Sequence, residues 1–119
     1  MKNKIIPSML ISAAILFISI KGYSQLFQTK LKVTVIDRLG NFTENATVTL
    51  YTSLEDYRSN KNAAASGTTD EKGRVKFKGL KPMTYYIDAR KDDLNNDGEG
   101  TQTEALIKGR LNKLNIVIE

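Results

Sequence analysis

Residues 30–52, KLKVTVIDRLGNFTENATVTLYT, decide the fold, because their apolar side chains recur at every second position. The positions that share one face are Leu31, Val33 and Val35 in the first half and Ala46, Val48 and Leu50 in the second. Successive side chains of a strand point to opposite sides, so this alternation predicts two strands, each with one buried face. The Gly40-Asn41 dipeptide between them suits the positive φ of a turn.

The same period continues through most of the remaining chain. Further strands are predicted near residues 64–69, 75–77, 85–90, 103–107 and 114–118. Their predicted inward positions are Val75, Phe77, Tyr85, Ile87, Ala89, Leu114, Ile116 and Ile118. One helical turn, capped by Ser53, is predicted after the second strand. Seven short strands joined by polar turns predict an all-β fold, a seven-stranded antiparallel β-sandwich.

The N-terminal 24 residues have the pattern of a secretory signal peptide. Lys2 and Lys4 precede an apolar run over residues 9–20, and small residues lead up to Ser24. The run is shorter than the roughly 20 residues of a membrane-spanning helix, which favours cleavage after Ser24 over a retained anchor. The sequence therefore predicts a single secreted domain over residues 25–119, periplasmic or extracellular, with no membrane insertion after cleavage.

The composition excludes several chemistries. The chain has no cysteine and no histidine, which excludes disulfides, thiol and Ser-His-Asp catalysis, a lipid-anchored lipoprotein and the usual zinc sites. The net charge of +5 includes Lys2, Lys4 and Lys21 of the predicted signal, so the mature chain carries only two net positive charges and a nucleic-acid partner is not implied. The acids cluster in one loop instead of facing each other across a cleft, so an enzyme is not expected.

Two longer stretches resemble a known family. They are LKVTVIDRLGNFTENATVTLY (residues 31–51) and GTTDEKGRVKFKGLKPMTYYIDA (residues 67–89). The residues that carry the likeness are Ala46, Val48, Thr69, Asp70, Gly73, Phe77, Leu80, Pro82, Tyr85, Ile87 and Ala89. They resemble the carboxypeptidase regulatory-like domains, small transthyretin-like sandwiches grouped with Cna B-type and carbohydrate-binding-like folds. The resemblance implies a non-catalytic domain that accompanies carboxypeptidases or outer-membrane receptors, or is secreted alone.

An acidic stretch over residues 92–104, DDLNNDGEGTQTE, follows the spacing D-x-N-x-D-G-x₅-E. Asp93, Asn95, Asp97 and Glu104 occupy the positions that supply oxygen ligands to calcium in such loops. The flanking sequence is strand-like, which excludes a helix-loop-helix hand and leaves a calcium loop between two strands, with Asp92 or Glu99 as substitutes for Glu104. The alternative is a solvated polar hairpin, since Asn, Asp and Gly are common in turns.

Two other surfaces have both a functional and a structural interpretation. Lys72, Arg74, Lys76 and Lys78 form a basic stripe, either for an anionic partner such as an acidic polysaccharide or lipid headgroup, or as an ordinary solvated strand whose lysines discourage edge pairing. The latter is the commoner use. Tyr57 and Tyr86 are candidates for a sugar-stacking platform, although the sequence does not place them together.

We therefore expect a non-catalytic, monomeric interaction or structural module at the bacterial cell envelope, whose partner is an envelope protein or a glycan. The alternatives are a carbohydrate-binding module, which needs exposed coplanar tyrosines, and an accessory domain of a carboxypeptidase or outer-membrane receptor. Calcium is the one expected cofactor.

Overall fold

A computed structural model of the protein describes residues 27–98 and 100–119. The predicted signal peptide over residues 1–24 and its cleavage site lie outside the described residues. The described strands are β1 (Lys30–Ile36), β2 (Thr47–Tyr51), β3 (Ala65–Thr68), β4 (Arg74–Phe77), β5 (Tyr86–Lys91), β6 (Leu94–Asn95) and β7 (Leu111–Val117). One helix, α1 (Leu54–Ser59), follows β2. No described helix is long and apolar enough to cross a membrane.

The strands form two sheets that pack as a β-sandwich. Sheet A has the order β4-β1-β7, and sheet B has the order β3-β2-β5-β6. The prediction of an entirely antiparallel sandwich is wrong, because β1 and β7 pair in parallel along seven residues, from Lys30–Leu111 to Ile36–Val117. Alternating side chains occur in parallel and antiparallel strands alike, so the sequence pattern does not specify the relative direction of two paired strands.

The core lies between the sheets and consists mainly of the predicted apolar positions, joined by Leu106, which was not among them. The fully buried members with the largest side chains are Leu31, Val33, Val35, Val48, Leu50, Ile87 and Ile118. Phe77 is 6% exposed, which confirms the predicted register of β4. Leu114 and Val75 are only partly buried, and they pack against the core from the strands at the two edges of sheet A. Each edge strand has one neighbour fewer than β1, which leaves its inward side chains less covered.

The predicted strand over residues 103–107 does not form. Gln102, just before it, forms an isolated bridge with Tyr86, and within the segment Thr103 and Leu106 donate single backbone hydrogen bonds to the Tyr85 and Met83 carbonyls. Thr103 explains the irregularity, because its hydroxyl also accepts the Tyr85 N–H at 3.0 Å. The helix, in contrast, begins as predicted, with the Ser53 hydroxyl accepting the Asp56 N–H at 3.1 Å.

Two turns at one end of the sandwich use the same local structure. Asp37 and Asp70 each begin a D-x-x-G sequence, and each carboxylate accepts backbone N–H groups two and four residues later at 2.9–3.0 Å. Gly40 and Gly73 take positive φ values of 85° and 68°. At Gly73 a side chain is also excluded by space, because a Cβ atom would lie 2.5 Å from the Val35 carbonyl oxygen. The second turn leads into β4 and places Gly73 against β1, where its carbonyl oxygen accepts the Val35 N–H at 2.7 Å.

Candidate functional site

The acidic stretch begins as a tight hairpin at the edge of sheet B. Asp92 and Asp93 form its tip, between Lys91 and Leu94, which pair across the hairpin. Asp92 has a φ of 52°, a left-handed conformation that Asp tolerates better than most residues. Both tip carboxylates are exposed to solvent. The tip is therefore an ordinary hairpin turn that presents two negative charges.

Asn96, which the sequence analysis did not single out, anchors the next part of the stretch. It is 1% exposed. Its Oδ1 accepts the Ala89 N–H at 3.0 Å, and its Nδ2 donates to the Ile87 carbonyl at 2.9 Å. The amide therefore pairs with β5 as a neighbouring strand would, although the chain turns away at this point. The only sequence signal for this role is that Asn96 follows the predicted ligand Asn95. The calcium spacing assigns Asn96 no role.

Arg90 neutralises two carboxylates at the base of the same stretch. Its Nε lies 3.0 Å from both oxygens of Asp88, and a terminal nitrogen lies 3.1 Å from Oδ1 of Asp97. Burial raises the pKa of Asp88, while the charge and hydrogen bonds of Arg90 act in the opposite direction. The guanidinium thus offsets the negative charge of Asp97, one of the predicted calcium ligands.

The four predicted calcium ligands occupy different surroundings. Asp93 is at the hairpin tip, and Asp97 is engaged by Arg90. The Asn95 side-chain oxygen accepts the Asp97 N–H at 2.9 Å, and Glu104 is exposed within the irregular segment of residues 103–107. Within residues 27–98 and 100–119, no three acidic side chains converge closely enough to hold a metal ion. Calcium binding by this stretch stays a prediction.

Three tyrosines, Tyr51, Tyr57 and Tyr86, converge on the outer side of sheet B, which the sequence did not reveal. The Tyr57 ring on α1 lies 6.0 Å from that of Tyr51, edge to face, and 6.3 Å from that of Tyr86, at an interplanar angle of 37°. Burial, followed by the negative charges of Asp97 and Asp88, raises the pKa of the Tyr57 hydroxyl. The rings pack the helix onto the sheet and are not coplanar, so they lack the geometry of the predicted sugar-stacking platform.

A basic face covers the outer side of sheet A. It is formed by Lys30 and Lys32 of β1, Arg74 and Lys76 of β4, and Lys113 of β7. Their inward neighbours along each strand are buried or partly buried, so these side chains project to solvent. Lys32 pairs with Lys76 on one side and with Lys113 on the other, which places three lysines in one row across the sheet. The predicted stripe on β4 is thus one border of a wider surface.

Comparison with known proteins gives information about the fold of this chain and about nothing else. No family model matches the chain, and no curated protein matches it either. Among solved structures it is similar to the Bacillus anthracis TIE protein, with a TM-score of 0.58 and 22% identity over 77% of this chain. It is also similar to a streptococcal ancillary pilin, with a TM-score of 0.58 and 17% identity, and to BcpA, the major pilin subunit of Bacillus cereus, with 0.53 and 21%.

These likenesses support a β-sandwich fold. They concern one part of each larger protein, because this chain spans 16% of the TIE protein, 32% of the ancillary pilin and 30% of BcpA. The identities are too low to transfer chemistry from one protein to another.

Proposed function

We propose that this chain is a non-catalytic, secreted β-sandwich module that acts by binding a protein or glycan of the bacterial cell envelope. The observation that carries the proposal is the likeness of its sandwich to the ancillary pilin and to the major pilin subunit, over 77% of the chain in both cases. Subunits of a pilus act through protein contacts at the cell surface. The predicted signal peptide over residues 1–24 supports the same location.

The surface chemistry supports binding more than catalysis. The most strongly paired acids, Asp88 and Asp97, share the guanidinium of Arg90, so neither carboxylate is free to act as a base in this arrangement. The basic face, in contrast, presents exposed and partly exposed cations on a regular sheet. Membership of the carboxypeptidase regulatory-like family, and with it an accessory role beside a carboxypeptidase or a receptor, stays a prediction from sequence resemblance.

Cell fractionation with intact-mass analysis tests the proposal. The producing organism should export a chain that begins at Gln25, recovered from the extracytoplasmic or surface fraction. Cross-linking in intact cells should join that chain to an envelope protein or glycan. A full-length chain in the cytoplasm, with no envelope cross-link, would contradict the proposal.

A further inference from the structure

The row of three lysines on sheet A is unfavourable for stability by itself. Lys32 lies directly opposite Lys76 in the antiparallel pair and next to Lys113 in the parallel pair. Neighbouring strands are about 4.8 Å apart, and like charges at directly opposed positions destabilise a sheet. The protein thus keeps three positive charges close together, although separating them would make the folded state more stable.

Protection of a sheet edge does not explain the row. Lysines on an edge strand discourage pairing with another chain, and this accounts for Lys76 on β4 and Lys113 on β7. Lys32 is different, because β1 is the central strand of sheet A and is paired on both sides. Its charge protects no edge, so the central lysine needs another explanation.

The charges of the basic face are also largely unneutralised. Among the described residues, the one ion pair on this face joins Arg74 to Asp70 at 4.0 Å, and both side chains are well exposed. None of the described lysines on the face makes an ion pair. The paired acids Asp88 and Asp97 lie on sheet B or beside it, away from sheet A. A depression of about 320 Å³ lies beside Lys32, Arg74 and Lys76. Asp70 also lines it, so three cations and one acid surround the depression and its net charge favours an anionic group.

The remaining outward positions indicate which polyanion fits. They hold Thr34, Ile36, Leu111, Asn115 and Val117. None is aromatic, so the face lacks the stacking platform of single-stranded nucleic-acid binders. Leu111 and Val117 are exposed on this face, but they lie at the two ends of β7, and the more exposed Leu39 and Phe42 lie on the loop that carries Asp37. The exposed apolar residues therefore do not form the continuous apolar side of a bilayer anchor. Thr34 and Asn115, in the row next to the lysines, carry a hydroxyl and an amide, which are groups able to hydrogen-bond sugar hydroxyls.

We propose that the basic face binds a linear acidic polysaccharide, whose anionic groups lie along the row Lys76-Lys32-Lys113 and in the depression beside Arg74. This inference rests on the proposed function, because it names the class of partner that the module binds. Lysine suits this use, since an ammonium group acts as a point charge that tolerates many anion geometries.

Binding of polygalacturonate tests the inference. The full chain is expressed and purified in the form that the host cell produces, after any signal cleavage. The wild-type protein should bind at low ionic strength, and binding should weaken as salt approaches about 0.15 M, where the Debye length is about 8 Å. The double variant Lys32→Gln/Lys76→Gln should lose about tenfold in affinity. The matched control, Arg58→Gln/Lys61→Gln, removes the same charge from exposed positions at α1 and the loop after it, and should bind like the wild type.

The same binding experiment is repeated with two other ligands, neutral dextran and vesicles containing phosphatidylglycerol. Replacing Lys32 and Lys76 should not change the binding of either one. The inference is overturned if polygalacturonate does not bind, or if both double variants lose affinity for it equally. It is also overturned if the wild-type protein binds the vesicles and the Lys32→Gln/Lys76→Gln variant loses that binding. Thermal melting of both variants shows that they remain folded. Failure here, with the wild-type chain still cross-linked to an envelope component in cells, would refute the polysaccharide and leave the proposed function standing.

Discussion

Lys32 and Lys76 stand directly opposite each other in the antiparallel pair of β1 and β4, and both project from the outer side of sheet A. Sheet A therefore contains a like-charge pair at the position where cross-strand interactions are strongest. The pair links the stability of the sandwich to the surface that we propose for binding.

Lys76→Glu should stabilise the protein, because it replaces this repulsion with an attraction. We expect the free energy of unfolding to rise by about 0.2–1 kcal/mol. Urea denaturation measures the change. Lys61→Glu, which makes the same charge change at an exposed position after α1, is the control and should change stability by less. A Lys76→Glu protein that is less stable than the Lys61→Glu protein would show that the opposed lysines do not repel each other.

The buried amide of Asn96 predicts a large effect from a single loop residue. Asn96→Ala leaves the Ala89 N–H and the Ile87 carbonyl without their partner and should cost about 1–3 kcal/mol of stability. Asn115→Ala, an exposed asparagine on β7, should change stability little. Equal melting temperatures for the two variants would mean that Asn96 does not order the acidic stretch.

The turn that begins at Asp70 predicts a contribution to acid sensitivity. Hydrogen bonds from the Arg74 and Lys72 backbone N–H groups, with help from nearby positive charge, lower the pKa of Asp70 below its ordinary value. A lowered pKa means that the ionised group stabilises the folded state above about pH 4, and that this stabilisation is lost as pH falls through the folded pKa. Asp70→Asn keeps the acceptor oxygen and should flatten this part of the acid unfolding curve. Asp93→Asn, at the hairpin tip, serves as the control, and identical acid curves for wild type and Asp70→Asn would refute the prediction.

Calcium binding by Asp93, Asn95, Asp97 and Glu104 is tested by thermal melting. A weak site, with a dissociation constant on the order of 10⁻⁴–10⁻³ M, should raise the melting temperature at millimolar calcium. Asp93→Asn/Asp97→Asn should abolish the rise. The Arg90→Gln variant removes the internal cation, so calcium should stabilise it more than the wild type. Melting curves that neither calcium nor EDTA shifts, in wild type and Arg90→Gln alike, would show that the stretch is a polar hairpin.

The parts of the fold that depend on local periodicity were predictable from the sequence. Alternation placed Leu31, Val33 and Val35 in the core, and it identified Phe77 as buried. The Ser53 cap and the turn at Gly73 were predictable because each depends on one residue type at one position. These features follow from backbone geometry within a few residues.

The parts that depend on contacts between distant residues were not predictable in this way. The parallel pairing of β1 with β7 joins residues about 80 positions apart, and nothing in either strand specifies its direction. The same holds for the packing of Tyr57 against Tyr86 and for the position of Lys32 between Lys76 and Lys113. The acidic stretch matched a calcium spacing, whereas the role of Asn96 emerged only when its side chain was placed against β5.

Co-sedimentation of the processed chain with cell envelopes isolated from the producing organism tests most directly whether the protein works by envelope binding. We expect the wild-type chain and Arg58→Gln/Lys61→Gln to pellet with the envelopes in a saturable manner, and Lys32→Gln/Lys76→Gln to be retained much more weakly. A wild-type chain that remains in the supernatant at every envelope concentration would contradict this expectation.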